Sequence, residues 1–498
     1  MKLILGLDIG TQAVKGILVS LDGKVMAGAG LERPPMLPRP GWVEMDPERD
    51  WWGSGVQVVR RLLHQLKPGQ EIIAAGCSAL VPCLALLDDQ MRPVRPAILY
   101  SDNRAIEELA WVNQTGGLSL TAEALVPKLV WIQRREPGNF ARGRVVLSAH
   151  NYVVQRLTGS YAMDYDTAGI MGGIFDPKSK QWRADLVQRL GLDPALFPPL
   201  SAATGVVGRV SEAAAKETGL PAGIPVIAGS GDTFPTLVGC GAVDVGDAMI
   251  SFGTTGLLTV TLRPLVESAA GPHFGASEAD AAVLWAANVL SVGRLIRWYL
   301  DHFPPSVPPG GNIYDVMEQA ARRVPPGAEG TLVLPHWLGR RSPVPDHNLR
   351  GSILGVLPST TPGHIYRALM EGFAYNIRQG FDPARARVRR VVLTAGGARS
   401  PLWRQIMADV LDHPVEYNPG SSGALGIAFL TAYALGYVSG FADIRQRWLA
   451  GMQRVEPNPE AAAVYQRLFP LYRQFDDAVA APYASLAGAL AEIEGGVA

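Results

Sequence analysis

One acidic residue, Asp8, is delivered by an apolar run and followed directly by a glycine–threonine turn. The run covers residues 2–9, and Gly10 and Thr11 come next. A carboxylate, the backbone N–H groups of a tight turn and a hydroxyl at one point suit a divalent metal ion and a nucleotide phosphate. An ordinary edge hairpin with a solvated Asp8 is the alternative that this segment alone leaves open.

The same design returns in the second half of the chain. Apolar runs at residues 14–20 and 25–29 follow the first turn, which predicts three antiparallel strands. Residues 248–262 again place an apolar run, Gly253-Thr254 and a further apolar run in that order. The spacing is far longer than a solenoid repeat, so the pattern predicts a duplicated domain with phosphate held between the two copies.

A second carboxylate, Asp232, follows a short apolar strand and a glycine-rich turn. The turn is Gly229-Ser230-Gly231, within residues 224–235. Glycines let a backbone approach a ligand closely, and catalytic groups are often placed on loops at strand ends. A carboxylate that only caps the next helix is the alternative.

A third glycine turn follows a buried-type strand at residues 390–394. Gly396 and Gly397 precede a helix that is opened by Ser400 with Pro401 at its first position. Such a turn can lay bare backbone against a flat ring or a ribose. It is neither a Rossmann fingerprint nor a Walker sequence, because the spacing of both is absent.

The composition is that of a large α/β protein. With 498 residues, 48% of them hydrophobic, the chain predicts two or more domains with large cores. Lys+Arg and Asp+Glu are both 45, which predicts neither a nucleic-acid nor a membrane partner. Cys77, Cys83 and Cys240 lie in apolar or glycine-rich surroundings, typical of buried free thiols. No signal peptide pattern opens the chain, so we expect a cytoplasmic protein.

The acidic pair Asp164 and Asp166 suggests either a metal site or a solvated turn.

Together these pieces resemble the FGGY family of carbohydrate kinases, within the superfamily of actin, sugar kinases and heat-shock ATPases; xylulokinases look like the nearest branch. The resemblance runs from Leu3 to about Gly436. Further segments carry it in the family's order, at residues 40–47, 95–104, 338–343, 366–375, 396–409 and 422–426.

This resemblance implies an α/β fold with two actin-like (ribonuclease H-like) domains and an interdomain cleft. It places an N-terminal, sugar-side domain at residues 1–245, a C-terminal, nucleotide-side domain at 246–440, and a helical tail packed on the body at 441–498. It implies ATP and Mg²⁺ as cofactors and a small sugar as acceptor, best a ketopentose such as xylulose. Ribulose, erythritol or glycerol as acceptor, an actin-like ATPase, and a non-catalytic sugar sensor are the alternatives, and a homodimer is left open.

The resemblance also implies residue roles. Asp232 is the expected catalytic base and Asp8 the expected Mg²⁺ ligand. The residues expected to hold ATP are Thr11, Lys15, Gly253, Thr254 and Thr255 at the phosphates, and Gly396, Gly397 and Ala398 at the adenosine. The residues expected near the sugar are Asp102, Arg104 and Trp42.

One segment departs from the nearest branch. Xylulokinases carry Gly-Gln-Met-His-Gly in the sugar loop, whereas residues 79–83 read Ala-Leu-Val-Pro-Cys. Polar groups discriminate between sugars because the wrong sugar leaves those groups unpaired. The loss of the polar Gln and His therefore predicts a broader acceptor tolerance.

Overall fold

The computed structural model describes residues 1–265, 274–275 and 282–495, and we call residues 1–245 the first half and the rest the second half. Strands of the first half are β1 (Lys2–Ile9), β2 (Ala13–Ser20), β3 (Val25–Glu32), β4 (Glu44–Met45), β5 (Glu71–Ala79), β6 (Cys83–Leu87), β7 (Ala97–Leu99), β8 (Val145–Leu147), β9 (Met163–Asp164), β10 (Phe175–Asp176), β11 (Gln181–Trp182), β12 (Leu200–Ser201), β13 (Val206–Arg209), β14 (Pro225–Ile227) and β15 (Ser230–Gly231). Its helices are α1 (Ser54–Leu63), α2 (Ile106–Gly116), α3 (Leu125–Arg135), α4 (Pro137–Arg142), α5 (Ala149–Thr158), α6 (Tyr165–Gly169), α7 (Ala184–Arg189), α8 (Glu212–Thr218) and α9 (Thr233–Gly239).

The second half has its own set of elements. Its described strands are β16 (Asp247–Phe252), β17 (Gly256–Thr261), β18 (Phe274–Gly275), β19 (Val283–Val289), β20 (Leu332–Leu334), β21 (Ser352–Leu354), β22 (Arg390–Thr394), β23 (Val415–Tyr417) and β24 (Gln453–Val455). Its helices are α10 (Gly293–His302), α11 (Ile313–Arg322), α12 (Pro362–Ala384), α13 (Pro401–Leu411), α14 (Gly423–Ala434), α15 (Pro459–Ala478) and α16 (Ala480–Gly495). Within these ranges, no helix combines the length and the apolar composition that a membrane crossing requires.

The two halves repeat one strand order, which confirms the predicted duplication of the fold. In the first half, β2 pairs antiparallel with β1 and β3, and β5 lies parallel to β1 and β14. In the second half, β17 pairs antiparallel with β16 and β19, and β22 lies parallel to β16 and β23. Each sheet even gains a matching antiparallel edge strand, β13 beside β14 and β24 beside β23. The two glycine–threonine turns therefore occupy equivalent places in two equivalent sheets.

Helices α9 and α14 join the halves by unusually close packing. A Cβ on Gly426 would lie 1.7 Å from the carbonyl oxygen of Pro235, and a Cβ on Gly239 would lie 2.0 Å from that of Ser422. On the opposite face, a Cβ on Gly6 of β1 would lie 2.1 Å from the carbonyl oxygen of Ala424. Only glycine permits backbones to approach so closely. Although α14 comes late in the chain, it packs on the sheet of the first half.

A separate helical region stands beside the first sheet. Helices α2, α3 and α7 enclose their own apolar core, together with strands β6–β8. This region carries Tyr100 and Lys128, which contact each other through the Tyr100 carbonyl.

The C-terminal tail is part of the second half's core. Strand β24 extends the second sheet, and Tyr465 and Tyr472 of α15 are fully buried in that core. The Tyr465 hydroxyl donates a hydrogen bond of 2.7 Å to Glu371 in α12. The tail therefore holds the second half together, and its residues 441–449 also pack into the core that contains α9 and α14.

Candidate active site

Asp8 lies at the end of β1, where the first half meets α14. The Ser78 hydroxyl on the neighbouring strand donates a hydrogen bond of 2.7 Å to Oδ1 of Asp8. A Cβ on Gly423, the first residue of α14, would lie 3.2 Å from Oδ2 of Asp8. Burial raises the pKa of Asp8, while Ser78 and the charge of Lys15 oppose that rise. Asp8 is thus a fixed, half-buried carboxylate and not a solvated one.

Asp232 lies at the start of α9, and its backbone N–H donates a hydrogen bond of 2.8 Å to the Ala79 carbonyl. It occupies the N-cap position, and the Thr233 hydroxyl donates a hydrogen bond of 3.4 Å to its Oδ1. Burial, and then the negative charge of Asp8, raise the pKa of Asp232 to about 7. A carboxylate with such a pKa is well matched to general base catalysis near neutral pH.

The glycine-rich turn before Asp232 brings the two carboxylates to one edge of the sheet. Asp8 and Ser230 lie opposite the same residue, Ser78, on the two sides of β5. The backbones that carry Asp8 and Asp232 are therefore separated by two strand spacings, about 10 Å. Gly229 has a φ of 77°, and a Cβ there would lie 2.0 Å from the Cys77 carbonyl oxygen. Any other residue would push the strand, and Asp232 with it, away from β5.

The two glycine–threonine turns are held by backbone contacts. The Gly10 N–H donates to the Ala13 carbonyl at 2.9 Å. In the second half, the carbonyl of Gly253 accepts from the first residue of α10 at 2.9 Å, and that of Thr254 accepts from the residue before it at 3.0 Å. Both carbonyls are therefore turned toward α10. Thr255 completes this turn and is half-buried, as is Thr11 in the first.

Lys15 lies on β2 directly opposite Asp8 in the strand register. Its side chain is exposed, and its charge acts on Asp8. Lys15, the cation predicted beside the first turn, therefore lies within electrostatic reach of Asp8.

The third glycine turn presents only part of the predicted adenosine surface. Gly396 is exposed, and no described atom lies within 4 Å of a Cβ built on it. Gly397 lies against Trp403, whose ring would be 2.8 Å from a Cβ at that position. Ala398, however, is 0% exposed, and its carbonyl accepts a hydrogen bond of 2.8 Å from Arg404. Packing of the second core buries Ala398, and its contact with the adenosine stays a prediction.

Asp102 and Arg104 were expected near the sugar, but they bind each other. Oδ2 of Asp102 accepts hydrogen bonds of 2.7 Å from Arg104 and 2.6 Å from the Val43 N–H. Both side chains are 0% exposed, and Arg104 also pairs with Glu44 at 2.8 Å. The Arg104 guanidinium lies 3.7 Å from the ring centroid of Trp42. These residues form a buried support that holds the half-buried Trp42 in place, and a contact of Asp102 or Arg104 with the sugar stays a prediction.

Tyr100 is a site residue that the sequence reasoning missed. Its side chain interacts with the Thr11 hydroxyl and lies within electrostatic reach of Asp232. The positive charges of Arg294 and Arg341, both from the second half, also reach it. Burial is the main cause of the raised pKa of Tyr100. The only sequence signal was its place directly before residues 101–104.

Lys128 is a second missed residue. It lies on α3 and is only 1% exposed. Its Nζ donates hydrogen bonds to the carbonyls of Tyr100 at 2.9 Å and Glu123 at 3.3 Å. Burial lowers the pKa of Lys128 to about 7, against the charge of Asp102. No sequence signal distinguishes this buried lysine from an exposed one.

The acidic pair at the start of α6 is buried, so it is not a solvated turn. Asp164 pairs with His150 at 2.8 Å and accepts a hydrogen bond of 3.2 Å from the Ser230 hydroxyl. Asp166 is 6% exposed, and burial together with the charges of Asp164 and Asp232 raises its pKa well above the ordinary value. In the part of the chain that the structure describes, no group of three or more metal-binding side chains occurs. The pair instead forms a buried acidic layer behind Asp232.

Comparisons with known proteins identify the family of the chain. Residues 3–239 match the N-terminal domain of the FGGY family of carbohydrate kinases, and residues 248–435 match its C-terminal domain. The xylulose kinase of Escherichia coli (strain K12) is 30% identical over 494 residues, covering 94% of this chain and 99% of that protein. The gluconokinase of Bacillus subtilis (strain 168) is 26% identical over 488 residues, covering 94% of each chain.

The fold agrees as well. The crystal structure of xylulose kinase from Rhodospirillum rubrum superposes with a TM-score of 0.81 at 28% identity, covering 97% of this chain and 100% of that one. Both halves thus match a carbohydrate kinase in sequence, in strand order and in overall structure. The chain belongs to the FGGY family of carbohydrate kinases, and it is a phosphotransferase that acts on an alcohol group of its acceptor.

Proposed function

We propose that this kinase transfers the γ-phosphoryl group of ATP to a hydroxyl of a ketopentose, with xylulose as the first candidate. The observation that carries the proposal is Asp232. Its pKa is raised to about 7, and β5 alone lies between its strand and the strand that carries Asp8. Relatives that match over nearly the whole chain are xylulose kinases.

In the mechanism that we propose, Asp232 accepts the proton of the attacking acceptor hydroxyl. Phosphoryl transfer is otherwise a matter of positioning and charge neutralisation. The backbone and hydroxyls of the two glycine–threonine turns, at Thr11 and at residues 253–255, would hold the phosphates from the two halves, with Lys15 adding positive charge. Gly396 and Gly397 would face the adenosine.

The residues at Asp8 fit a bound Mg²⁺. Mg²⁺ in kinases is typically held by one or two carboxylates, water and the substrate phosphates, so a cage of protein ligands is not required. Asp8 has one oxygen held by Ser78, and its other oxygen faces the start of α14 near the Thr236 hydroxyl. Mg²⁺ bound there would neutralise charge that develops on the transferred phosphoryl group.

A magnesium titration tests this role of Asp8. We expect Asp8→Ala to weaken the response of the rate to Mg²⁺ and also to lower kcat, because the carboxylate acts through the metal. Asp185→Ala, on an exposed helix of the first half, serves as the control. If the Asp8→Ala titration matched that of the wild-type protein, Asp8 would be structural only.

The acceptor pocket has an apolar wall beside Asp232. Val81 lies against Gly231, where a Cβ would come within 2.2 Å of Cγ2 of Val81. Leu80 and Cys83 are 0% exposed, so residues 79–83 turn their larger side chains into the core. An apolar wall neither strongly rewards a hydroxyl nor strongly rejects its absence. This observation supports a tolerance for several ketoses or polyols.

A sugar acid is a second candidate acceptor. The charges of Arg294 and Arg341 reach Tyr100 from the second half, beside Asp232. Arg341 is already paired with Glu123, so Arg294 is the cation left to favour a carboxylate-bearing substrate over a neutral one. Gluconokinases are also among the relatives that match over the full chain.

One screen separates these functions. ADP release should be coupled to an indicator and followed with xylulose, ribulose, erythritol, glycerol, gluconate and no acceptor, with Asp232→Asn as the inactive control. We expect xylulose-dependent turnover, with a second acceptor within about 100-fold in kcat/KM. Equal ADP release without any acceptor would favour an ATPase, and sugar binding without turnover would favour a sensor.

The proposed cellular location and oligomeric state follow from the cofactor and the family. The requirement for ATP favours the cytoplasm as the place of action. A homodimer stays a prediction of the family resemblance, and light scattering after size exclusion would test it.

A further inference from the structure

An ion pair joins the two halves beside the acceptor pocket. Arg341 lies in the second half, and Glu123 lies in the loop before α3 of the first half. The Nη1 and Nη2 atoms of Arg341 contact the two carboxylate oxygens of Glu123. The two side chains are 24% and 28% exposed, so the pair is largely shielded from solvent. The pair therefore spans the interdomain cleft in a two-pronged geometry, which fixes direction as well as distance.

On the second half, the segment that carries Arg341 is rigid. Arg340 and Asp346 exchange two backbone hydrogen bonds of 2.8 Å. The Arg340 side chain binds the buried Asp476 of α15 at 3.0 Å. The Ser342 hydroxyl accepts a hydrogen bond of 3.0 Å from the Asn288 N–H on β19. Arg341 is thus held from both sides, unlike a mobile surface arginine.

On the first half, one lysine links Glu123 to Tyr100. Lys128 donates hydrogen bonds to the carbonyls of both Glu123 and Tyr100. Tyr100 in turn interacts with Thr11 and lies within electrostatic reach of Asp232. A short series of contacts therefore leads from the ion pair to the first phosphate turn, within electrostatic reach of the proposed base.

We infer that Arg341 is a positioning residue for phosphoryl transfer. It acts through Glu123 to hold the second half against the part of the first half that carries Tyr100. The expected effect on kcat/KM rests on the proposed function. The expected effect on how the two halves are held together does not. The pair contacts neither Asp8 nor Asp232 directly, so it would set how the halves close and not the chemistry itself. Closure of this kind excludes water and brings the nucleotide side to the acceptor.

A charge-reversal cycle tests the inference. The variants are Glu123→Arg, Arg341→Glu and the double exchange, and Arg297→Glu is the matched control because its ion pair with Asp301 on α10 is exposed. Circular dichroism and thermal melting would select the folded variants, and Arg341→Lys and Glu123→Gln provide milder ones. The readouts are the radius of gyration of the unliganded protein, kcat/KM with xylulose, and ADP release without acceptor.

We expect each single reversal to increase the radius of gyration and to lower kcat/KM about tenfold. Acceptor-independent ADP release should rise relative to sugar phosphorylation, and the double exchange should recover a large part of each effect. Single variants that match the Arg297→Glu control in all three readouts would overturn the inference. A wild-type protein without xylulose turnover would overturn the proposed acceptor, while the scattering comparison would still test the ion pair.

Discussion

At the scale of single residues, the site depends on how its charges are surrounded. Burial and then the negative charge of Asp8 raise the pKa of Asp232 to about 7, against hydrogen bonds from Thr233. Asp102 has the same side chain, yet Arg104 and the Val43 N–H occupy its oxygens. Identical carboxylates thus differ in surroundings, because Asp102 is paired with a guanidinium and Asp232 lies within electrostatic reach of a second carboxylate.

The first prediction concerns Asp232. We expect Asp232→Asn to lower kcat by about 10²–10⁴, because the amide cannot accept the hydroxyl proton, with a small change in the acceptor KM. Steady-state kinetics with xylulose would measure this, and Asp185→Asn on an exposed helix is the control. Turnover close to wild type would remove Asp232 from the role of base.

The second prediction concerns pH. Asp232 must be deprotonated to act as a base, and its pKa is raised to about 7, so kcat/KM should rise with pH through the neutral range. Because the charge of Asp8 contributes to this raised pKa, Asp8→Asn should shift the rise to lower pH. Lys128 also titrates at about 7, and Lys128→Met separates its contribution. A flat profile between pH 5 and 8 in the wild-type protein would contradict the assignment.

At the scale of elements, glycine contacts between helices set the position of the catalytic groups. Helix α9 begins directly after Asp232, and α14 begins beside Asp8. Their backbones meet at Gly239 and Gly426 with no room for a side chain. The geometry of the site therefore depends on residues that carry no chemistry of their own.

The third prediction tests this packing. Gly426→Ala should destabilise the protein by about 1–3 kcal/mol, because the new methyl group would lie 1.7 Å from the Pro235 carbonyl oxygen. It should also lower kcat, since α9 must shift and Asp232 lies at its start. Urea unfolding and steady-state kinetics would measure both effects. Gly440→Ala is the control, because no described atom lies within 4 Å of a Cβ there; equal stability of the two variants would refute the argument.

At the scale of the whole molecule, the two halves form one duplicated fold with ligands proposed to bind between them. Each sheet contributes one glycine–threonine turn, and α9 and α14 form the packed joint. The Arg341–Glu123 pair is a second link between the halves. We expect the halves to close about the packed joint when ligands bind.

The fourth prediction concerns that closure. Xylulose together with a non-hydrolysable ATP analogue should reduce the radius of gyration measured by solution X-ray scattering, because both halves would then hold parts of the same ligands. Each ligand alone should produce a smaller change. Identical profiles with and without both ligands would count against closure in solution.

The sequence by itself determined the features that depend on neighbouring residues. The strand–turn–strand units at both Gly-Thr turns, the strand that delivers Asp8 and the glycine turn before Asp232 were all predicted from local patterns and are present. Turn chemistry and apolar runs act within a few residues, so they can be recognised along the chain. The ordered set of motifs likewise indicated the family that the comparisons confirm.

Only the tertiary structure decided the features that depend on residues far apart in the chain. Arg104 meets Glu44, Lys128 is buried beneath Tyr100, Ala398 lies in the second core, and Arg341 reaches Glu123 across the cleft. None of these contacts has a local signature, because a charged or small residue has the same identity whether it is exposed, buried or paired. Its environment, and therefore its pKa and its role, is fixed by partners that folding brings together.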